Sequence, residues 1–172
     1  MGHPIINIAD VELQPLPPGF MPTGATAERY DPRIGRVSTR LGAQKLGYNV
    51  TALAPGKCAF PFHNHRVNEE MFFILDGTGE IRIGSERHSV RSGDIIACPP
   101  GGHESAHQLI NTGTVELRYL AVSTQLSPEI CEYPDSGKYS VTADATPDAT
   151  GKPPLFRNVA RLGESLDYWE GE

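Results

Sequence analysis

Along the middle of this chain apolar and polar residues alternate, and at both ends the alternation stops. In GEIRIGSERHSV, residues 79–90, Ile81 and Ile83 alternate with Glu80 and Arg82, a period of two that gives a strand one buried and one wet face. Gly84-Ser85-Glu86 supplies the reversal. LGYNVTALAPG, residues 46–56, reads as a strand halted by Pro55-Gly56. MFFILDG (71–77), RHSV (87–90) and DIIACPP (94–100) are short runs closed by Gly, Pro, Ser or Asp. HQLINTG and VELRYLAVST are two more, separated by the turn signal Asn111-Thr112-Gly113. No helical period lies between the runs. The pattern therefore predicts an all-β meander over 42–124, closed as a sandwich or barrel rather than a βαβ sheet.

The ends read differently. Prolines at positions 4, 15, 17, 18, 22 and 32 suppress helix and interior strand, so residues 1–41 are expected to form an arm packing on the barrel. Residues 125–172 form a C-terminal extension. In it EYPDSGK is a good turn, the polar stretch 140–152 reads as a mobile linker, and LFRNVARLGESLDYWEGE has enough apolar residues to dock.

With 172 residues, one domain with long arms is expected. Charge stands at 15 positive against 21 negative, a net of −6, with no basic cluster, so a nucleic-acid partner is not expected. No apolar stretch has the length of a membrane span and the N-terminus lacks a signal core, so neither a membrane partner nor export is expected, and a cytoplasmic location follows. Cys58, Cys98 and Cys131 form no C-x-x-C pair, and an odd count argues against a disulfide framework.

Candidate chemistry concentrates in PFHNHRVNEEMFFILDGTG, residues 61–79. In an extended strand, positions two apart share a face about 6.6 Å apart, so His63 and His65 face one point. The link RVNE turns the chain back so that Glu70 opens the next strand opposite them. Imidazole with carboxylate suits one divalent transition metal, Zn, Mn, Fe or Ni, without choosing among them.

These residues resemble the first motif of the cupin superfamily, G-x5-H-x-H-x3,4-E-x6-G, in its single-domain, cupin-2 type. Gly56 is followed by six residues before His63, one more than the pattern, whereas His63, His65, Glu70 and Gly77 fit it. Glu69 would satisfy a three-residue gap, but only Glu70 leaves six residues before Gly77. The second motif, G-x5-P-x-G-x2-H-x3-N, is matched by Gly93, Pro99 and Gly101. His103 comes one residue early and His107 three late, but His107 is followed by three residues and Asn111. The resemblance thus favours His107 as the fourth ligand and makes GGHESA an insertion at the mouth of the site.

What the resemblance implies is a double-stranded β-helix, the jelly-roll barrel, with a metal held by His63, His65, Glu70 and His107 near one end and two copies paired as a homodimer. Tyr48, Phe60, Phe62, Phe72 and Ile74 are expected to line the pocket, and Cys98 either lines it or is an inert buried thiol. Glu104 and His103 are the candidate acid and base. Such a site on a small-molecule substrate points to a sugar or sugar-phosphate isomerase or to a dioxygenase, and for phosphate recognition Arg66 and Lys57 are the available cations. A non-catalytic cupin that holds a metal and a small ligand is the alternative.

Overall fold

The computed structural model describes residues 4–144, 155–161, 163 and 165–172. Its strands are β1 (Gln14–Pro15), β2 (Pro32–Arg36), β3 (Leu46–Leu53), β4 (Asn64–His65), β5 (Glu70–Asp76), β6 (Thr78–Ile83), β7 (Glu86–Arg91), β8 (Ile95–Cys98), β9 (His107–Ile110), β10 (Leu117–Thr124), β11 (Glu129–Tyr133), β12 (Lys138–Asp144) and β13 (Leu155–Arg161). They form sheets in the orders β1-β2-β3-β10-β5-β8, β13-β12-β11-β4 and β7-β6-β9. Every strand pair is antiparallel. The predicted β-rich double-stranded β-helix is the observed architecture.

Alternation decides what faces inward. On β5, Phe72 and Ile74 point into a core shared with Leu53, Ile81, Leu109, Leu117 and Tyr119. Gly77 ends that strand at φ 83°, where a Cβ would meet the Glu116 carbonyl oxygen at 2.4 Å. Only glycine fits there, which explains the residue that closes the first motif. Asn111 has a comparable fixed task. Its buried amide donates to the Leu53 and Val115 carbonyls, both at 2.8 Å, and its Oδ1 accepts from the Gly113 N–H, so it clasps the turn into β10.

Both ends depart from expectation. The arm supplies strand after all: β2 pairs with β3 over five residues, Pro32 opposite Leu53 through Arg36 opposite Asn49. Proline is tolerated because it occupies the strand's first position. The arm also covers the outer face of β3, where Val11, Val37 and Val50 form a second core with Tyr48 against it. In the tail, residues 140–144 are not linker but part of β12, which pairs with β11 and β13. EYPDSGK makes the β11–β12 turn. Residues 145–154 lie outside the described residues. The C-terminal stretch expected to dock is paired over β13, yet Leu166, Tyr168 and Trp169 beyond it are exposed.

Candidate metal centre

His63 and His107 face each other across a backbone pair. The His107 N–H donates to the His63 carbonyl at 2.7 Å and the His63 N–H to the His107 carbonyl at 3.2 Å, which places both side chains on one face of the ladder. Their ring centroids are 4.7 Å apart. His65, two residues along from His63, brings its ring to 5.1 Å from the His63 ring. Glu70, first residue of β5, is held between Cys98 of β8 and Ser123 of β10.

Around Glu70 Oε2 the three imidazoles present the same atom. His107 Nε2 lies at 3.0 Å, His65 Nε2 at 3.5 Å and His63 Nε2 at 3.9 Å. The far side of each ring accounts for this. His63 Nδ1 is 2.8 Å from the Pro61 carbonyl and His107 Nδ1 is 3.2 Å from the Ser105 carbonyl. A carbonyl only accepts, so both Nδ1 atoms carry hydrogen and both Nε2 lone pairs point inward. His65 Nδ1 faces Cys131 Sγ at 3.2 Å and Glu129 Oε2 at 3.6 Å, an electron-rich side that again turns Nε2 toward the centre. That His65 Nε2 is buried with no hydrogen-bond partner among the described residues. Lone pairs and a carboxylate oxygen at such separations repel unless a cation sits among them, so this donor set fits a metal ion.

The charge balance agrees. Burial opposes ionisation of Glu70, but the imidazoles of His107, His65 and His63 that face it outweigh burial and hold the carboxyl well below its usual range. Burial pushes His63 down to about 4, with His107 adding to the effect. For His65 burial also lowers the pKa, yet the Cys131 sulfur at Nδ1 and the nearby Glu70 carboxylate prevail and raise it to about 10.

One donor atom from each of His63, Glu70 and His107 lies within 4.8 Å of the others, and the same is true of His65, Glu129 and Cys131. The second trio is a different object. Glu129 Oε1 accepts from the N–H groups of Arg66, Val67 and Ile130 at 3.1, 3.2 and 2.8 Å, and Oε2 accepts from the Asn68 N–H at 2.7 Å and from the Asn68 side-chain amide. Those bonds occupy the roughly four lone-pair directions of a carboxylate, so Glu129 has none left for an ion. It fastens the loop between His65 and Glu70.

A cavity of ≈ 60 Å³ adjoins the cluster, walled by Ala59, Phe60, Phe72, Leu109, Tyr119 and Ala121 beside His63, Glu70 and His107. Of the residues expected to line it, Phe60 and Phe72 do so. Tyr48 shares the Val50 face of β3 and packs under the arm, outside the barrel. Phe62 is buried beneath the Arg82 guanidinium, 3.6 Å from its ring centroid. Ile74 and Cys98 belong to the core, and burial pushes the Cys98 thiol up to about 12, which makes it inert. His103 and Glu104 are exposed and line no part of the cavity. Glu104 accepts from the Gly102 N–H at 2.8 Å, a bond that lowers its pKa and ties it to its own loop.

Three residues of the tail escaped sequence reasoning: Glu129, Cys131 and Tyr133, whose ring stacks on His63 at 6.3 Å. Their spacing of two along EICEY was the available signal, since β11 places all three on the face that Cys131 shares with His65.

Residues 49–123 match the cupin domain family. The chain carries a cupin domain. An uncharacterized protein of Methanocaldococcus jannaschii is 33% identical to this chain over 72 residues, 42% of this chain, and the chain spans about half of that relative, 55% of its length. Among solved structures, a cupin-superfamily sugar phosphate isomerase from Silicibacter pomeroyi superposes with TM-score 0.74 over 96% of this chain and 98% of its own, at 22% identity. The polyketide cyclase RemF from Streptomyces resistomycificus gives TM-score 0.55 over 73% and 82%, at 20% identity. At such identities the likeness is one of fold, and the two neighbours already differ in chemistry. No helix among the described residues is long and apolar enough to cross a membrane.

Proposed function

We propose that His63, His65, Glu70 and His107 hold one divalent transition metal per chain, Zn, Mn, Fe or Ni, and that the protein is a small-molecule metalloenzyme of the sugar or sugar-phosphate isomerase kind. The observation that carries this reading is the convergence of three imidazole Nε2 atoms on one carboxylate oxygen within 3.9 Å. An ion so held supplies Lewis acidity toward a carbonyl or hydroxyl oxygen. The chain's own residues do the rest. Phe60, Phe72, Leu109 and Ala121 keep the wall apolar, and burial raises the pKa of Tyr119, whose hydroxyl is engaged with Thr51 and stays protonated. The full-length superposition on a sugar phosphate isomerase, both arms included, supports the choice of substrate class.

A second reading, dioxygenation, is favoured by one feature. Among the described residues the cavity has no acid or base beyond His63, Glu70, His107 and Tyr119, so a free base for isomerisation must come from the substrate side or the mouth. The test is turnover by metal-loaded protein, with product NMR for hexose and pentose phosphates and oxygen uptake for flavonols and diketones. Isomer formation that vanishes with His63→Ala/His107→Ala, alongside loss of the metal, is the expected result. Oxygen uptake would shift the assignment to dioxygenase, and binding without either would leave a non-catalytic ligand-holding cupin. We propose in addition that two copies pair as a homodimer, which light scattering measures directly.

A further inference from the structure

Outside the metal cavity a larger groove of ≈ 440 Å³ opens against it, and Phe60 lines both. Its floor is Phe60, Pro61 and Tyr133, the segments that abut His63: the Pro61 carbonyl holds His63 Nδ1, and the Tyr133 ring stacks on the imidazole. The walls come from both ends of the chain, Leu16, Phe20 and Arg36 from the arm and Lys138, Arg157 and Val159 from β12 and β13. Arg157 reaches across and sits 4.7 Å over the Phe20 ring, so arm and tail meet at the rim. Lys138 likewise lies 5.8 Å over Tyr133.

The charge of this groove runs against that of the molecule. The chain carries a net charge of −6, yet among the described residues the groove is lined by three cations and no carboxylate. None of the three is paired: ion pairs among the described residues engage Arg33, Arg66, Arg82 and Arg87 but not Arg36, Lys138 or Arg157. The two cations that sequence reasoning offered for phosphate are occupied, Arg66 by Glu132 at 2.8 Å and Lys57 by the Glu28 carbonyl at 2.6 Å. Unpaired cations focused in a concave, partly apolar site attract anions, and guanidinium groups match phosphate oxygens in geometry.

We propose that Arg36, Lys138 and Arg157 form an anion subsite that takes the phosphate group of a small phosphate monoester, whose organic part extends past Tyr133 toward the metal cavity. As a substrate subsite it rests on the metalloenzyme reading above; as a phosphate site it stands on the groove alone. A phosphorylated lipid headgroup carries the same chemistry, and the experiment separates the two sources.

Calorimetric titration of the full chain, metal-loaded and chelated, is done with inorganic phosphate, glucose 6-phosphate and glucose, and with vesicles containing phosphatidylinositol phosphate. Metal content is measured in every sample. Glucose 6-phosphate binding well above glucose in both forms is expected. Arg36→Gln, Lys138→Gln and Arg157→Gln should each weaken it about three- to tenfold, the range for a charged hydrogen bond discounted for exposure, with metal content unchanged. Arg157→Lys should recover part of the loss. A triple variant that binds the monoester as the wild type does overturns the assignment, as does a phosphate response confined to the metal-loaded form or to vesicles. Should the triple variant fail to fold by circular dichroism, the single variants decide by the same criterion. If the wild type holds no metal while affinity still follows the three cations, the metal-centred reading fails and the subsite stands.

Discussion

Glu70 carries a negative charge into the barrel, and something positive has to accompany it. Without a metal, the candidate is the proton on His65, since its pKa is raised to about 10 while His63 is lowered to about 4. The ion and that proton compete for one position. At pH 7 metal uptake should therefore release about one proton per chain, read as buffer-dependent heat in calorimetry, and affinity should rise with pH toward 10. Proton-neutral uptake would remove the competition. The same two residues set the acid and base limits of the metal-free fold. His65, whose folded pKa exceeds its ordinary 6.5, contributes stability that is complete below 6.5 and is lost between 6.5 and about 10. His63, buried in its neutral form, costs stability as pH falls from 6.5 toward 4. From these two groups the melting temperature of chelated protein should peak near pH 6.5, and a steady rise from pH 7 to 9 would contradict the assignment.

At the scale of elements, the decisive strand is β11. Its Glu129 collects the N–H groups of Arg66, Val67, Asn68 and Ile130, fixing the link from His65 to Glu70 without touching the centre itself. Glu129→Gln keeps the shape but turns an amide N–H₂ toward backbone donors. Metal affinity should fall about 10- to 100-fold, as for other outer-shell partners of metal ligands, with the melting temperature lowered, and equilibrium dialysis of the variant is the check. The legibility of the sequence divides along this line. Strands β3 and β5 to β10 were readable because their apolar residues alternate or run together and end at Gly, Pro or Asn. The four converging side chains were readable because His63 and His65 share a face by strand period and Glu70 and His107 match motif spacing. What stayed hidden depended on pairing between distant segments. EICEY and KYSVTAD alternate, but mostly in polar residues, so nothing in them announces burial until β11 lies beside β4. Tyr48 misled for the opposite reason: the choice between the two faces of β3 is made by an arm that covers the outer one. Glu104 sits near the motif in sequence, yet its loop turns it back on Gly102.

For the whole molecule, the barrel boundaries drawn at 42 and 124 cut through the machinery. Within 42–124 the sequence supplies all four side chains proposed to hold the metal, so an excised barrel would carry that whole set. It would lack β2 and Val11, which cover Val50 on the outer face of β3. It would also lack Glu129 and Cys131, which face His65 Nδ1 and anchor the 66–68 loop. Asn68 and three loop N–H groups would exchange the Glu129 carboxylate for water, and the loop between His65 and Glu70 would lose the acceptor that fixes it. The fragment would then hold the ligands unfixed. Two truncations separate the contributions. Ending the chain at residue 125 should abolish stoichiometric metal, whereas ending it at 144 keeps β11 and β12 and should retain the metal while losing Arg157 from the outer groove. Metal analysis of both, with circular dichroism to follow folding, tests the order of dependence, and a 42–124 fragment that binds one ion as tightly as the full chain would show that the arms serve the substrate alone.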